Sequence, residues 1–105
     1  MDLVINSKQQ LLTALEHYKT VIHAFGVKQL GIFGSFVRDE VHEKSDVDFY
    51  VEFDANKKNF DNFMDLAFLL ERITGRKIEL LTPQFLSPYF GKYILSEVEY
   101  VTLAA

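Results

Sequence analysis

Apolar residues recur at helical spacing near the start of the chain. Leu11, Leu12, Leu15, Tyr18, Val21, Ile22 and Phe25 follow a candidate N-cap at Asn6 or Ser7 and stop at Gly26, which predicts one amphipathic helix over roughly 7–25. Val27 to Phe33 reads as a short strand running into the tight turn Gly34-Ser35, and Ser35 to Glu40 is expected to open a brief helix before a polar loop from Val41 to Ser45. The most regular segment is Asp46 to Phe53. Val47, Phe49, Val51 and Phe53 fall on one strand face and Asp46, Asp48, Tyr50 and Glu52 on the other. After a polar loop from Asp54 to Asn59, the residues Phe60, Phe63, Met64, Ala67, Phe68, Leu70 and Ile73 predict a second long helix ending before Gly75. Arg76 to Thr82 is a third strand closed by Pro83, Pro88 to about Glu97 a last helix, and Tyr100 to Leu103 an edge strand. This order argues for an α/β (α+β) class, a small sheet with helices packed against it.

Composition narrows the class further. The chain has 105 residues, which predicts a single domain over 1–105, and its 49% hydrophobic and 14% aromatic content excludes intrinsic disorder and collagen-like repeats. With no Cys, thiolate metal sites and thiol nucleophiles are excluded, so any metal rests on oxygen or imidazole. Eleven Lys and Arg against fifteen Asp and Glu give a net charge of -4, which argues against stable binding of nucleic acid. No run approaches the roughly 18 apolar residues of a membrane span, and the first residues lack a secretory pattern, so a cytoplasmic protein without membrane association is expected.

Two features carry candidate chemistry. The turn Gly34-Ser35 at a helix start would offer backbone N–H groups and a hydroxyl to a phosphate. Asp46 and Asp48, two residues apart on one strand face, would hold carboxylates roughly 7 Å apart at the Cα level, a spacing suited to divalent cations. Glu79, with Ile78 and Leu80 pointing oppositely, is the candidate third carboxylate. His17, His23 and His42 are read as structural, and Phe60, Phe63, Phe68, Phe85, Tyr89, Phe90 and Tyr93 as core, with Tyr89, Phe90 and Tyr93 alternatively a protein-binding patch. The basic pairs Lys57-Lys58 and Arg76-Lys77 are read as solvated, with Arg76 or Lys77 a candidate triphosphate contact.

Phe33-Gly34-Ser35-Phe36-Val37-Arg38, ten intervening residues after Ser35, and Ser45-Asp46-Val47-Asp48 together resemble the signature of the minimal nucleotidyltransferases of the DNA polymerase beta-like superfamily. Within it the chain resembles the antitoxin component of HEPN/MNT toxin–antitoxin modules, and Lys77 to Pro83 resembles the segment bearing the third metal ligand. The resemblance implies a small mixed sheet flanked by helices. It implies two Mg2+ ions, with Mn2+ as a substitute, on the catalytic residues Asp46, Asp48 and Glu79, and ATP held by Gly34, Ser35 and Arg38. The implied activity is transfer of AMP to a protein hydroxyl, a tyrosine of a cognate HEPN ribonuclease toxin. The alternatives are an antitoxin that only masks its toxin and a nucleotidyltransferase acting on a small molecule. Three positions depart from the family pattern: Glu79 stands where Asp is common, and Phe36 and Asp39 where relatives often carry a basic residue and a Gly.

Overall fold

A computed structural model describes residues 4–103, with the side chains of Phe85 and Phe90 outside the described set. The first helical stretch is two helices, α1 (Lys8–His17) and α2 (Lys19–Ala24). Ser7 caps α1 by accepting the Gln10 N–H at 3.1 Å. The apolar spacing runs through Tyr18, yet its backbone, at φ -101° and ψ 10°, leaves the helical region there and divides the stretch. Gly26, at φ +88°, ends α2 and feeds strand β1 (Val27–Phe33). The expected helix over Ser35 to Glu40 is instead a single 3-10 turn, Gly34–Phe36. Asp39 explains the difference: it sits at φ 55°, a left-handed conformation that breaks a helix.

Strand β2 (Val47–Phe53) follows, then α3 (Phe60–Thr74), β3 (Ile78–Leu81), α4 (Pro88–Glu97) and β4 (Glu99–Val101). Asn59 caps α3 by accepting the Asn62 N–H at 2.8 Å, and Gly75 closes it at φ 66°. The sheet order is β3-β2-β1-β4. Strand β1 runs antiparallel to β2 and β4, and β2 runs parallel to β3 through the α3 crossover, so the sheet is mixed as expected.

Register explains the two faces. Ile32 lies opposite Phe49, Leu30 opposite Val51 and Phe49 opposite Leu80, which gathers them on one face. That face is buried with Leu11, Leu15 and Ile22 of the first helices and Leu66 and Leu70 of α3. Each fully buried aliphatic or Phe side chain contributes about 1.5–3 kcal/mol. On the other face Tyr50, itself buried, packs edge-on against Tyr100 at 6.4 Å between ring centroids. No helix among the described residues is long and apolar enough to cross a membrane.

Candidate active site

The topology brings the chemically distinctive residues to one end of the sheet. Strand β1 ends at Phe33 where β2 and β3 begin, and β4 begins on the far side of β1. Asp48 is the register neighbour of Phe33 on one side and of Glu79 on the other, so the row Phe33, Asp48, Glu79 crosses the sheet on the face opposite α1, α2 and α3. Glu79 is exposed while Leu80 is buried, as the alternation required.

Asp48 is half-buried, and its pKa is pushed up to about 6. Loss of hydration is the main cause, followed by repulsion from Glu79 and Asp46, a side-chain hydrogen bond with Glu79, and repulsion from Glu97. Hard oxygen donors that repel one another in partial isolation from water suit a divalent cation, which would replace the proton holding them together. Asp48 and Glu79 are brought together. Asp46 lies one residue before β2 with an exposed side chain, and among the described residues no group of three acidic or imidazole side chains converges as metal ligands do.

Gly34 has a positive φ of +76°. A Cβ there would overlap the Asp48 carboxylate, so glycine is what allows the turn to pass this close to the acid. Gly34→Ala combines that overlap with a left-handed backbone cost of about 1–2 kcal/mol. The expected result is a thermal midpoint lower by roughly 5–15 °C, read by circular dichroism; an unchanged midpoint would show that the close approach is not required.

Ser35 is the second residue of the same turn and is partly exposed. Arg38 projects back over the turn, and its Nη1 donates to Glu97 Oε2 at 2.8 Å while Nε lies 3.4 Å from Glu40. The Gly34 N–H donates to the other oxygen of Glu97 at 2.5 Å. One carboxylate from the last residue of α4 therefore takes both donors. Glu97 was not evident in the sequence, because 63 residues separate it from Gly34 and only the β1–β4 ladder, which ends at Ile32 opposite Glu99, brings the two together.

The second residue missed by sequence reasoning is Arg76. Expected as a solvated cation or a triphosphate contact, it is 9% exposed, and its guanidinium donates to the carbonyls of Ile5, His42, Glu43 and Ser45 and to Asn6 Oδ1 at 2.6 to 3.3 Å. It also lies 5.4 Å from the centroid of Phe36, a core residue. Arg76 thus ties the turn after β1 to the loop that delivers Asp46.

His42 serves that loop: its N–H donates to Ser45 Oγ and its Nδ1 accepts from Lys44 N–H. His17 and His23 are exposed in the last turns of α1 and α2. The core expectation for the aromatics fails at Phe60, Phe68, Tyr89 and Tyr93, which are exposed, because the short sheet buries only one stripe of each helix. Phe63 is half-buried against the core. A cavity of about 900 Å3 is lined by Val51, Phe53, Phe60, Phe63 and Pro83 among others. It sits toward the far end of β2, and Phe53 is roughly 16 Å along the strand from Asp48; it takes no part in the carboxylate site.

Comparisons with known proteins agree with this arrangement. The nucleotidyltransferase domain family matches residues 2–101. The chain is 36% identical over 99 residues to protein adenylyltransferase MntA of Thermococcus cleftensis, covering 94% of this chain and 97% of that one. Two solved structures share the fold. One, assigned to the minimal nucleotidyltransferases, superposes with a TM-score of 0.69 at 24% identity over 84% of this chain and 93% of its own. The other, a toxin–antitoxin crystallised with AMP-PNP, gives a TM-score of 0.60 at 16% identity over 89% of this chain and 70% of its own.

Proposed function

Because the chain belongs to the nucleotidyltransferase domain family, we propose that it transfers AMP from ATP to a hydroxyl of a partner protein, with the toxin of a toxin–antitoxin pair as that partner. The activity follows the name of the Thermococcus relative, and the partner follows the toxin–antitoxin complex that shares the fold. On this reading the acceptor is a tyrosine of a HEPN-type toxin, and the modification silences it. The observation that carries the reading is the carboxylate row of Asp48 and Glu79 set against the Gly34 turn, with Asp46 within electrostatic reach.

Asp46, Asp48 and Glu79 would hold Mg2+, or Mn2+, and bound cations would lower the pKa of the acceptor hydroxyl and offset charge on the departing pyrophosphate. The chain's own residues do the positioning. The Gly34 N–H and the Ser35 turn hold the terminal phosphates, Arg38 adds a cation at the rim, and the partial burial at Asp48 weakens the solvent screening of these charges. Glu79 is one methylene longer than the usual Asp and lies on an edge strand, which gives it reach toward the acceptor.

Incubating the protein with ATP labelled at the α-phosphate, Mg2+ and the neighbouring gene product should place label on that partner and not on free nucleotide acceptors. Asp46→Ala should remove at least 99% of the label, about two decades of rate for a loss near 3 kcal/mol. Tight complex formation with no label would favour masking, and label on a free metabolite would favour a small-molecule acceptor.

A further inference from the structure

We infer that Glu97 is a built-in competitor for the triphosphate: its carboxylate occupies the cradle made by the Gly34 N–H and the Arg38 guanidinium, and it must leave before a nucleotide can seat. The inference rests on the assignment of those two residues to the phosphates.

Three observations support it. Each Glu97 oxygen takes one donor, Oε1 from Gly34 at 2.5 Å and Oε2 from Arg38 at 2.8 Å, so the pair of donors a phosphate would need is already consumed. Both contacts are charge-assisted, and although the Arg38 side chain is 43% exposed, that of Glu97 is only 17% exposed and also takes the part-buried Gly34 N–H, so the carboxylate is more shielded than in an ordinary surface ion pair. Its backbone is also anchored. Val98 packs over Gly31, where a Cβ would collide with it, and the next residue, Glu99, enters the ladder opposite Ile32.

Release therefore needs only a rotation of the Glu97 side chain or the loss of the last turn of α4. Arg38 would keep a partner in Glu40, 3.4 Å from its Nε, so the cradle need not collapse when Glu97 leaves. Glu97 also stands close enough to Asp48 to repel it, and among the described residues the two cradle donors are the hydrogen bonds that hold its carboxylate inward.

A competitor lowers apparent affinity by the fraction of molecules whose cradle is open. Titrating the full chain with AMP-PNP and Mg2+ by calorimetry should show E97A binding about tenfold tighter than wild type on that basis. E97Q should bind tighter by a smaller factor, since its amide oxygen still accepts but carries no charge. Thermal melts check that each variant is folded, and the nearly isosteric E97Q carries the test if E97A is not. Affinity that stays the same or falls in both variants would overturn the competitor and make Glu97 a strut for Arg38. The Arg38→Ala chain, titrated in parallel, separates the two levels of the argument. If it binds more weakly while neither Glu97 variant binds more tightly, the phosphate assignment stands and the competitor fails. If it binds as well as wild type, or if no chain binds nucleotide, the phosphate assignment fails and takes the competitor with it.

Discussion

Asp48→Asn is expected to abolish transfer and, at the same time, to raise the melting temperature of the cation-free protein above pH 6. The two effects share one cause. Burial and the neighbouring carboxylates push the Asp48 pKa up from 3.8 to about 6, so folded chains keep this proton in a range where unfolded chains have released it. The stability tied to that proton is full below about pH 4, declines as pH rises to 6, and above 6 the ionised group is a standing penalty. Allowing for solvent screening over its exposed half, the penalty is about 1–2 kcal/mol. Asn removes the charge, keeps the shape beside Gly34, and can donate to Glu79.

The same substitution removes a ligand from the proposed cation site. A loss of about 4 kcal/mol of transition-state stabilisation lowers the rate about a thousandfold. Mg2+ should raise the melting temperature of wild type at pH 8 more than at pH 5, and should do little for Asp48→Asn at either pH. Equal melting temperatures for wild type and variant at pH 8 without Mg2+ would contradict the electrostatic account. Retained transfer would contradict the ligand assignment.

Arg76→Met should be the most destabilising single change, costing about 3–5 kcal/mol in urea unfolding, the range for removing one partner from a buried charged network. Arg76 satisfies four carbonyls and the Asn6 amide oxygen, and among the described residues no carboxylate pairs with it. Its charge is held by peptide dipoles. Methionine fills much of the volume but leaves those oxygens without donors, each a penalty of about 1–3 kcal/mol where water cannot reach. Lysine should rescue little, because a single ammonium cannot span the carbonyls of Ile5 and Ser45 at once. A cost below about 1 kcal/mol would mean that water takes over these contacts.

The sequence was most legible where local rules decide. The period-two run of β2, the Gly26 and Gly75 stops and the span of α4 all follow from side-chain alternation and backbone sterics, and the structure places them accordingly. The family signature likewise led to the right fold and the right family. It was least legible where the outcome depends on residues far apart in the chain. Periodicity cannot show that Tyr18 interrupts a helix, since the residues on either side keep the same stripe. A basic pair looks solvated until four carbonyls from two distant segments converge on one of its members, as they do on Arg76. Nothing near position 97 hints at Gly34, and the exposed Phe60, Phe68, Tyr89 and Tyr93 show that aromatic residues at helical spacing need not find a core in so small a sheet.

The outer strands of the sheet have a further consequence for how molecules of this chain meet one another. Strand β3 offers four residues and β4 three, and each carries a glutamate, Glu79 or Glu99. A long, flat, uncharged border would invite a neighbouring chain to extend the ladder. Here an approaching strand finds too few peptide groups to form a lasting seam and would have to pair beside Glu79 or beside the Lys8–Glu99 ion pair, so edge-to-edge fusion of crowded molecules is disfavoured.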